Sequence, residues 1–254
     1  MKHLAATVGL GPLLLLQGRY VKRSIPTLPE PPGERQGWVA DYPATPLRLL
    51  MIGDSAAAGV GARHQAEALS GHLVKALAQA SIPLSWRLHA QTGATTAHCL
   101  KQLRLATPQP YDVVVVSLGV NDLTTGCSVA HWIEQQAQLT HQLQQRFEAR
   151  LILLSALPPI HLFPALPQPL RWYLGAQARR YNQALARWAA HRYPDCEYVR
   201  ADFALNPQLM AHDGFHPGPA LYAQWAQALA EKIRHHHRIG RFVRQIAPTR
   251  VAAL

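Results

Sequence analysis

Three observations predict an α/β fold built on a parallel sheet covered on both faces. Continuous apolar runs at 47–52, 113–118 and 151–154 read as strands buried on both sides. Stretches with apolar residues four apart fall between and after these runs, the spacing of helices packed along one face. Glycine-containing loops follow the strand ends, where open α/β sheets place their ligands.

The first strand, Leu47 to Ile52, ends abruptly in Gly53-Asp54-Ser55 and a run of small residues. A helix is expected over His64 to Gln79, with Leu69, Leu73 and Leu77 on one face. Leu84 to Ala90 alternates around Trp86 and Leu88 and makes the second strand, and Val113 to Leu118 makes the third. Leu139, Leu143 and Phe147 mark a helix over Val129 to Phe147, followed by a buried strand at Leu151 to Leu154. Pro158 to Leu174 reads as a loop dense in proline and aromatics, after which Tyr181, Leu185 and Trp188 resume helical spacing. A short strand is expected near Glu197 to Val199. The last helix carries Leu221, Trp225, Leu229 and Ile233.

The 254 residues are enough for one domain with extensions. Lys and Arg outnumber Asp and Glu by 25 to 14, a net charge of +11 that favours an anionic partner. The basic residues gather near the ends, and nucleic acid is disfavoured against a membrane surface because it has no need of the apolar Leu13 to Leu16 beside them. Cys99, Cys127 and Cys196 form neither a disulfide framework nor a metal pattern, and read as reduced thiols. Leu4 to Leu16 is apolar but broken by Gly9, Gly11 and Pro12, and Arg19, Lys22 and Arg23 follow it. It is too short to span a bilayer, and it lacks a convincing cleavage site. The reading is peripheral attachment on the cytoplasmic face of an anionic membrane, with export as the alternative. Pro26 to Pro46 reads as a linker. The expected organisation is therefore an apolar segment and linker (1–46), a central domain (47–234) and a basic tail (235–254).

Four short motifs carry chemistry: Gly53-Asp54-Ser55, Gln91-Thr92-Gly93, Gly119-Val120-Asn121-Asp122 and Asp213-Gly214-Phe215-His216-Pro217. A serine hydroxyl becomes a nucleophile when a neighbouring base takes its proton, and His216 is suited to that near neutral pH. Asp213 can hold the other ring nitrogen from the same turn. The backbone N–H groups of Ser55 and Gly93 and the side-chain amide of Asn121 are candidate donors to a developing oxyanion. Each motif alone is also a common turn or helix cap. Asp54 and Asp122 are read as loop-stabilising carboxylates. His235-His236-His237 point in different directions on a helix and read as a solvated basic face, and no metal-ligand spacing occurs elsewhere.

Taken in order, these motifs resemble the SGNH/GDSL hydrolase family, whose four signature residues match Ser55, Gly93, Asn121 and His216, with Asp213 three before the histidine. The resemblance covers roughly residues 47–233. It implies a three-layer α/β/α sandwich around about five parallel strands, flavodoxin-like in type. It also implies a serine esterase acting on small-molecule acyl esters or thioesters through an acyl-serine intermediate, without metal or cofactor. Ala56 stands where a leucine commonly follows the serine, a departure that bears on specificity. The G-x-S-x-G elbow of α/β-hydrolases is absent. Phe163, Trp172 and Tyr173 of the aromatic loop are candidates for an acyl-binding wall. Acyl transfer with the same triad and an inactive binding protein on this fold are the alternatives. Acyl length and the choice of ester or thioester are open at this level.

Overall fold

The structure, a computed structural model, describes residues 2–39, 45–200 and 206–242. In chain order the elements are α1 (Lys2–Ser24), β1 (Gln36–Val39), β2 (Leu47–Gly53), α2 (Ser55–Ala58), α3 (Leu69–Gln79), β3 (Leu84–Ala90), α4 (Thr96–Leu105), β4 (Val113–Ser117), α5 (Val120–Thr124), α6 (Val129–Phe147), β5 (Leu151–Ser155), α7 (Leu170–Ala190), β6 (Cys196–Val199) and α8 (Pro219–Arg238). The strands form one sheet in the order β1-β3-β2-β4-β5-β6. All neighbours are parallel except β1, which pairs antiparallel with β3. Apart from β1, this is the flavodoxin-like order, in which the chain reverses direction across the sheet at its first parallel strand, β2.

Strand alternation divides the core in two. Leu50, Ile52, Val114, Val116, Ile152 and Leu154 pack with residues of α4, α6 and α7 on one face. Leu49, Met51, Val115 and Leu153 pack with α3 and α8 on the other. Successive side chains of a strand point to opposite faces, so apolar runs without alternation are what a two-sided sheet requires. The expected three layers and five parallel strands are present, with the antiparallel β1 added at one edge.

The extra strand lies in the stretch read as a linker. Its four residues are largely exposed and carry no apolar run, so their pattern gave no strand signal. Neighbouring residues are also tied down. Arg35 O accepts the Leu88 N–H at 2.6 Å, and Pro32 O accepts the Gln65 N–H at 2.9 Å. The apolar segment is a helix: Leu14 is buried, and Gln17 bonds both the carbonyl of Gln168 (2.7 Å) and the N–H of Leu170 (3.0 Å). At the other end α8 continues past 234 to Arg238, while residues 243–254 of the expected tail lie outside the described residues. Among the described residues, no helix is long and apolar enough to cross a membrane.

Two helical readings also change. The stretch from His64 begins with a short 3₁₀ turn, Gln65–Glu67, before α3. Thr96–Leu105 forms α4, capped by Thr95 accepting the His98 N–H at 3.2 Å; Lys101, Gln102 and Arg104 interrupt its apolar stripe and hid it from periodicity.

Candidate active site

β2 ends at Gly53, and the chain turns directly into α2 at Ser55. A Cβ on Gly53 would lie 2.5 Å from both the Ser117 carbonyl oxygen and the Ala57 Cβ, so only glycine lets the turn sit this close to β4. Asp54 caps the turn by accepting the Ala56 N–H at 3.1 Å. Burial pushes its carboxyl up to about 7, against the pull of that bond and of the nearby His216.

Ser55 Oγ lies 3.0 Å from His216 Nε2, and His216 Nδ1 lies 2.6 Å from Asp213 Oδ2. With the ring proton on Nδ1, that N–H donates to the carboxylate and Nε2 accepts from the serine hydroxyl. Asp213 Oδ1 accepts the N–H groups of Phe215 (2.9 Å) and His216 (3.0 Å), fixing the carboxylate on its own turn. Burial works against ionisation of Asp213, but the His216 and backbone bonds outweigh it and hold the carboxyl below its ordinary range. Thus the three residues named from sequence meet although 161 positions separate Ser55 from His216.

Asn121 opens α5 just beyond β4, and its side-chain N–H₂ donates to the Ala94 carbonyl at 3.0 Å. Asp122 beside it is buried and accepts both the N–H and the hydroxyl of Thr96 at 3.1 Å, while Trp132 and Gln136 donate to that hydroxyl. Burial pushes the Asp122 carboxyl up. Asp54 and Asp122 are therefore loop braces, as their place in turns implied. Gly93 has φ +81°, a conformation that favours glycine, in the exposed turn that also contains Ala94.

That turn has a brace with no sequence signal. Glu30 accepts the backbone N–H of Thr92 (2.7 Å) and its hydroxyl (2.8 Å), and Arg35 pairs with Glu30 at 2.8 Å while bonding the Ala90 carbonyl. The nominal linker thus holds the Gly93 turn. Only its distance in sequence concealed this.

Ser55, Asn121 and His216 open on a cavity of about 760 Å³. The loop after β5, with Phe163 in it, the middle of α7, the end of β6 and the start of α8 also line it. Trp172 and Tyr173 are not among the lining residues. α7 starts at Leu170, so both sit in its first turns; Trp172 is 45% exposed, and the Tyr173 hydroxyl accepts from Gln177. From α7 the cavity instead receives Gly175, Ala178, Arg179 and Asn182. Asn182 clamps the post-β5 loop, accepting the Leu157 N–H at 2.8 Å and donating to its carbonyl at 2.9 Å.

The family model described as the GDSL-like lipase/acylhydrolase family matches residues 51–224. The chain belongs to this family. As a GDSL-type hydrolase it is an esterase, and the match encloses all four motifs. No curated protein matches the chain. Among solved structures, a lipase from a goat rumen metagenome is 18% identical with a TM-score of 0.56, covering 73% of this chain and 97% of its own. TesA is 22% identical with a TM-score of 0.54 over 74% and 98% of the two chains. A family 3 carbohydrate esterase of Clostridium thermocellum is 15% identical with a TM-score of 0.60 over 77% and 99%. At these identities the likeness establishes the fold.

The three cysteines are free, two of them buried. No cluster of three or more metal-ligating side chains occurs among the described residues. His236, expected on a solvated basic face, is instead fully buried and bonds Glu197 at 2.7 Å, because α8 turns that residue toward β6.

Proposed function

We propose that this GDSL hydrolase cleaves acyl esters or thioesters through an acyl-serine intermediate, with Ser55 as nucleophile, His216 as general base and acid, and Asp213 as its orienting partner. The observation that carries the reading is the unbroken Ser55–His216–Asp213 hydrogen-bonded chain opening on the cavity. Ser55 Oγ adds to the acyl carbon while its proton passes to His216 Nε2. The carbonyl oxygen becomes an oxyanion, met by the Ser55 and Gly93 N–H groups and the second N–H of the Asn121 amide. Collapse expels the alkoxide or thiolate, which takes the proton from His216. Water then adds to the acyl-serine with the same base, and the acid and free serine are released. Asp213, ionised across the working range, stabilises the imidazolium that forms twice in each cycle.

A screen of p-nitrophenyl esters of graded chain length, with acyl-CoA in parallel, tests this. The expected result is turnover by the wild-type protein that Ser55→Ala abolishes. Acyl transfer uses the same triad with an alcohol replacing water, and added alcohols that divert product from acid to ester would assign it.

We further propose that α1 holds the protein peripherally on an anionic membrane. Leu13, Leu15, Leu16 and Tyr20 are exposed on it, and Arg19, Lys22 and Arg23 lie at its end. Exposed apolar residues beside cations suit an anionic interface, where each cation contributes about 1 kcal/mol. Co-sedimentation with anionic and neutral liposomes, with Leu15→Glu/Leu16→Glu alongside wild type, checks it. Binding that ignores both lipid charge and the substitutions would contradict it.

A further inference from the structure

The far wall of the catalytic cavity carries charge that the hydrolytic reading does not use. Arg179 lines it from α7. Among the described lining residues the one carboxylate is Asp54, buried beneath the serine turn. Arg179 makes no ion pair with any carboxylate among the described residues. It stands beside His161, whose pKa burial and the Arg179 charge both lower, so the imidazole adds little charge at neutral pH. Gly175, Ala178 and Ala186 of the same helix line the cavity with Arg179, and Gly175 lets His161 pack against α7.

The sheet sets the scale. Ser55 follows β2, and the cavity reaches Val199 at the end of β6, with β4 and β5 between them. Three strand spacings come to about 14 Å between the chain positions. Apolar side chains, among them Leu157, Phe163, Phe215 and Trp225, line the intervening space. Arg179 is exposed at the cavity, and an anionic group placed there gains charge-assisted hydrogen bonds that a neutral acyl chain does not.

Accepting the serine-esterase reading, we propose that the substrate bears an anionic group, carboxylate or phosphate, held by Arg179 several ångströms from the scissile ester across an apolar span. The site thus selects esters that are apolar beside the reacting carbon and anionic at the distal end. The overall positive charge of the chain steers such substrates in the same sense.

The test compares the mono-p-nitrophenyl ester of a long-chain dicarboxylic acid with its methyl-capped form. A second arm compares an acyl ester of a phosphorylated alcohol with its dephosphorylated counterpart, and so separates carboxylate from phosphate as the source of charge. Wild type is expected to prefer the charged member of at least one pair in kcat/KM, chiefly through a lower KM. Arg179→Gln should reduce that preference about tenfold, the scale of one charge-assisted hydrogen bond. Arg179→Lys should restore much of it, and Arg180→Gln, outside the cavity on the same helix, should leave it intact. Turnover without preference in either pair, or a preference that survives Arg179→Gln, overturns the proposal while the esterase reading stands. Absence of Ser55-dependent turnover in every arm overturns both.

Discussion

Two histidine–carboxylate pairs among the described residues are of nearly equal length, and only one of them opens on the cavity. His216 meets Asp213 at 2.6 Å, and its other nitrogen meets the Ser55 hydroxyl at 3.0 Å on the wall of an open cavity. His236 meets Glu197 at 2.7 Å, but it is fully buried and its other nitrogen has no partner. Lys232 also pairs with Glu197 at 3.1 Å, turning that group into a tie between α8 and β6. The carboxylate orients an imidazole in both cases. A base results only where the second nitrogen faces a hydroxyl and a place for substrate. Of the three consecutive histidines only the middle one packs, His235 and His237 being exposed, while His216 in a turn faces the cavity.

Removing each histidine breaks the comparison in opposite ways. His216→Ala should lower kcat by at least about 10⁴ while leaving the unfolding temperature near that of wild type, since triad members act as a unit. His236→Ala should leave kcat per folded molecule within about twofold. It should cost roughly 3 kcal/mol, the scale of a broken buried pair, and lower Tm by about 5–10 °C. Steady-state kinetics paired with thermal unfolding reads both, and a matched loss of kcat in the two variants would erase the distinction.

Asn121→Ala comes next in size. Loss of one oxyanion donor should reduce kcat by roughly 10²–10³ with little change in KM. The Ala94 bond is lost as well, so an unfolding curve must accompany the kinetics. Full kcat in the folded fraction would make Asn121 a turn brace alone.

Glu30→Ala sharpens the comparison by loosening the Gly93 turn without touching the triad. A drop in kcat of about tenfold is expected, since misplacing a donor by a fraction of an ångström is costly. Burial opposes ionisation of Glu30, yet its bonds from Thr92 and Arg35 prevail and lower its pKa. Its contribution is therefore present at neutral pH and is lost as pH falls through the lowered value. An unchanged acid limb of kcat in Glu30→Ala, measured against wild type, would remove the brace.

The smallest effect concerns Asp54, whose folded pKa of about 7 lies above that of an ordinary carboxyl. A raised folded pKa means stability present at acid pH and lost as pH rises from about 4 through 7, by a few kcal/mol at most. Asp54→Asn retains an acceptor for Ala56 and removes that titration. Its Tm should gain on wild type across this window, and parallel Tm profiles would contradict the assignment.

The site was more legible in the sequence than its surroundings. Ser55, Gly93, Asn121 and His216 each sit in a short motif whose geometry is local, so residue type and order were enough to single them out as candidates. β1 was hidden because its exposed edge position needs no apolar run, and α4 because polar residues break its stripe. The cavity wall depends on how α7 docks against the post-β5 loop. Asn182 clamps Leu157 across 25 positions, and nothing in the spacing of Arg179 announces which way it faces. Aromatic content drew attention to Trp172 and Tyr173, but the helix start at Leu170 set them outside the cavity lining.

The most direct test of the contrast between the two histidine pairs is covalent. A fluorophosphonate probe reacts only with a serine whose proton a neighbouring base can take. Peptide mapping by mass spectrometry is expected to find the adduct on Ser55, to find none in His216→Ala and to find it undiminished in folded His236→Ala. An adduct at another serine that persists in Ser55→Ala, or labelling of Ser55 that survives His216→Ala, would contradict the account.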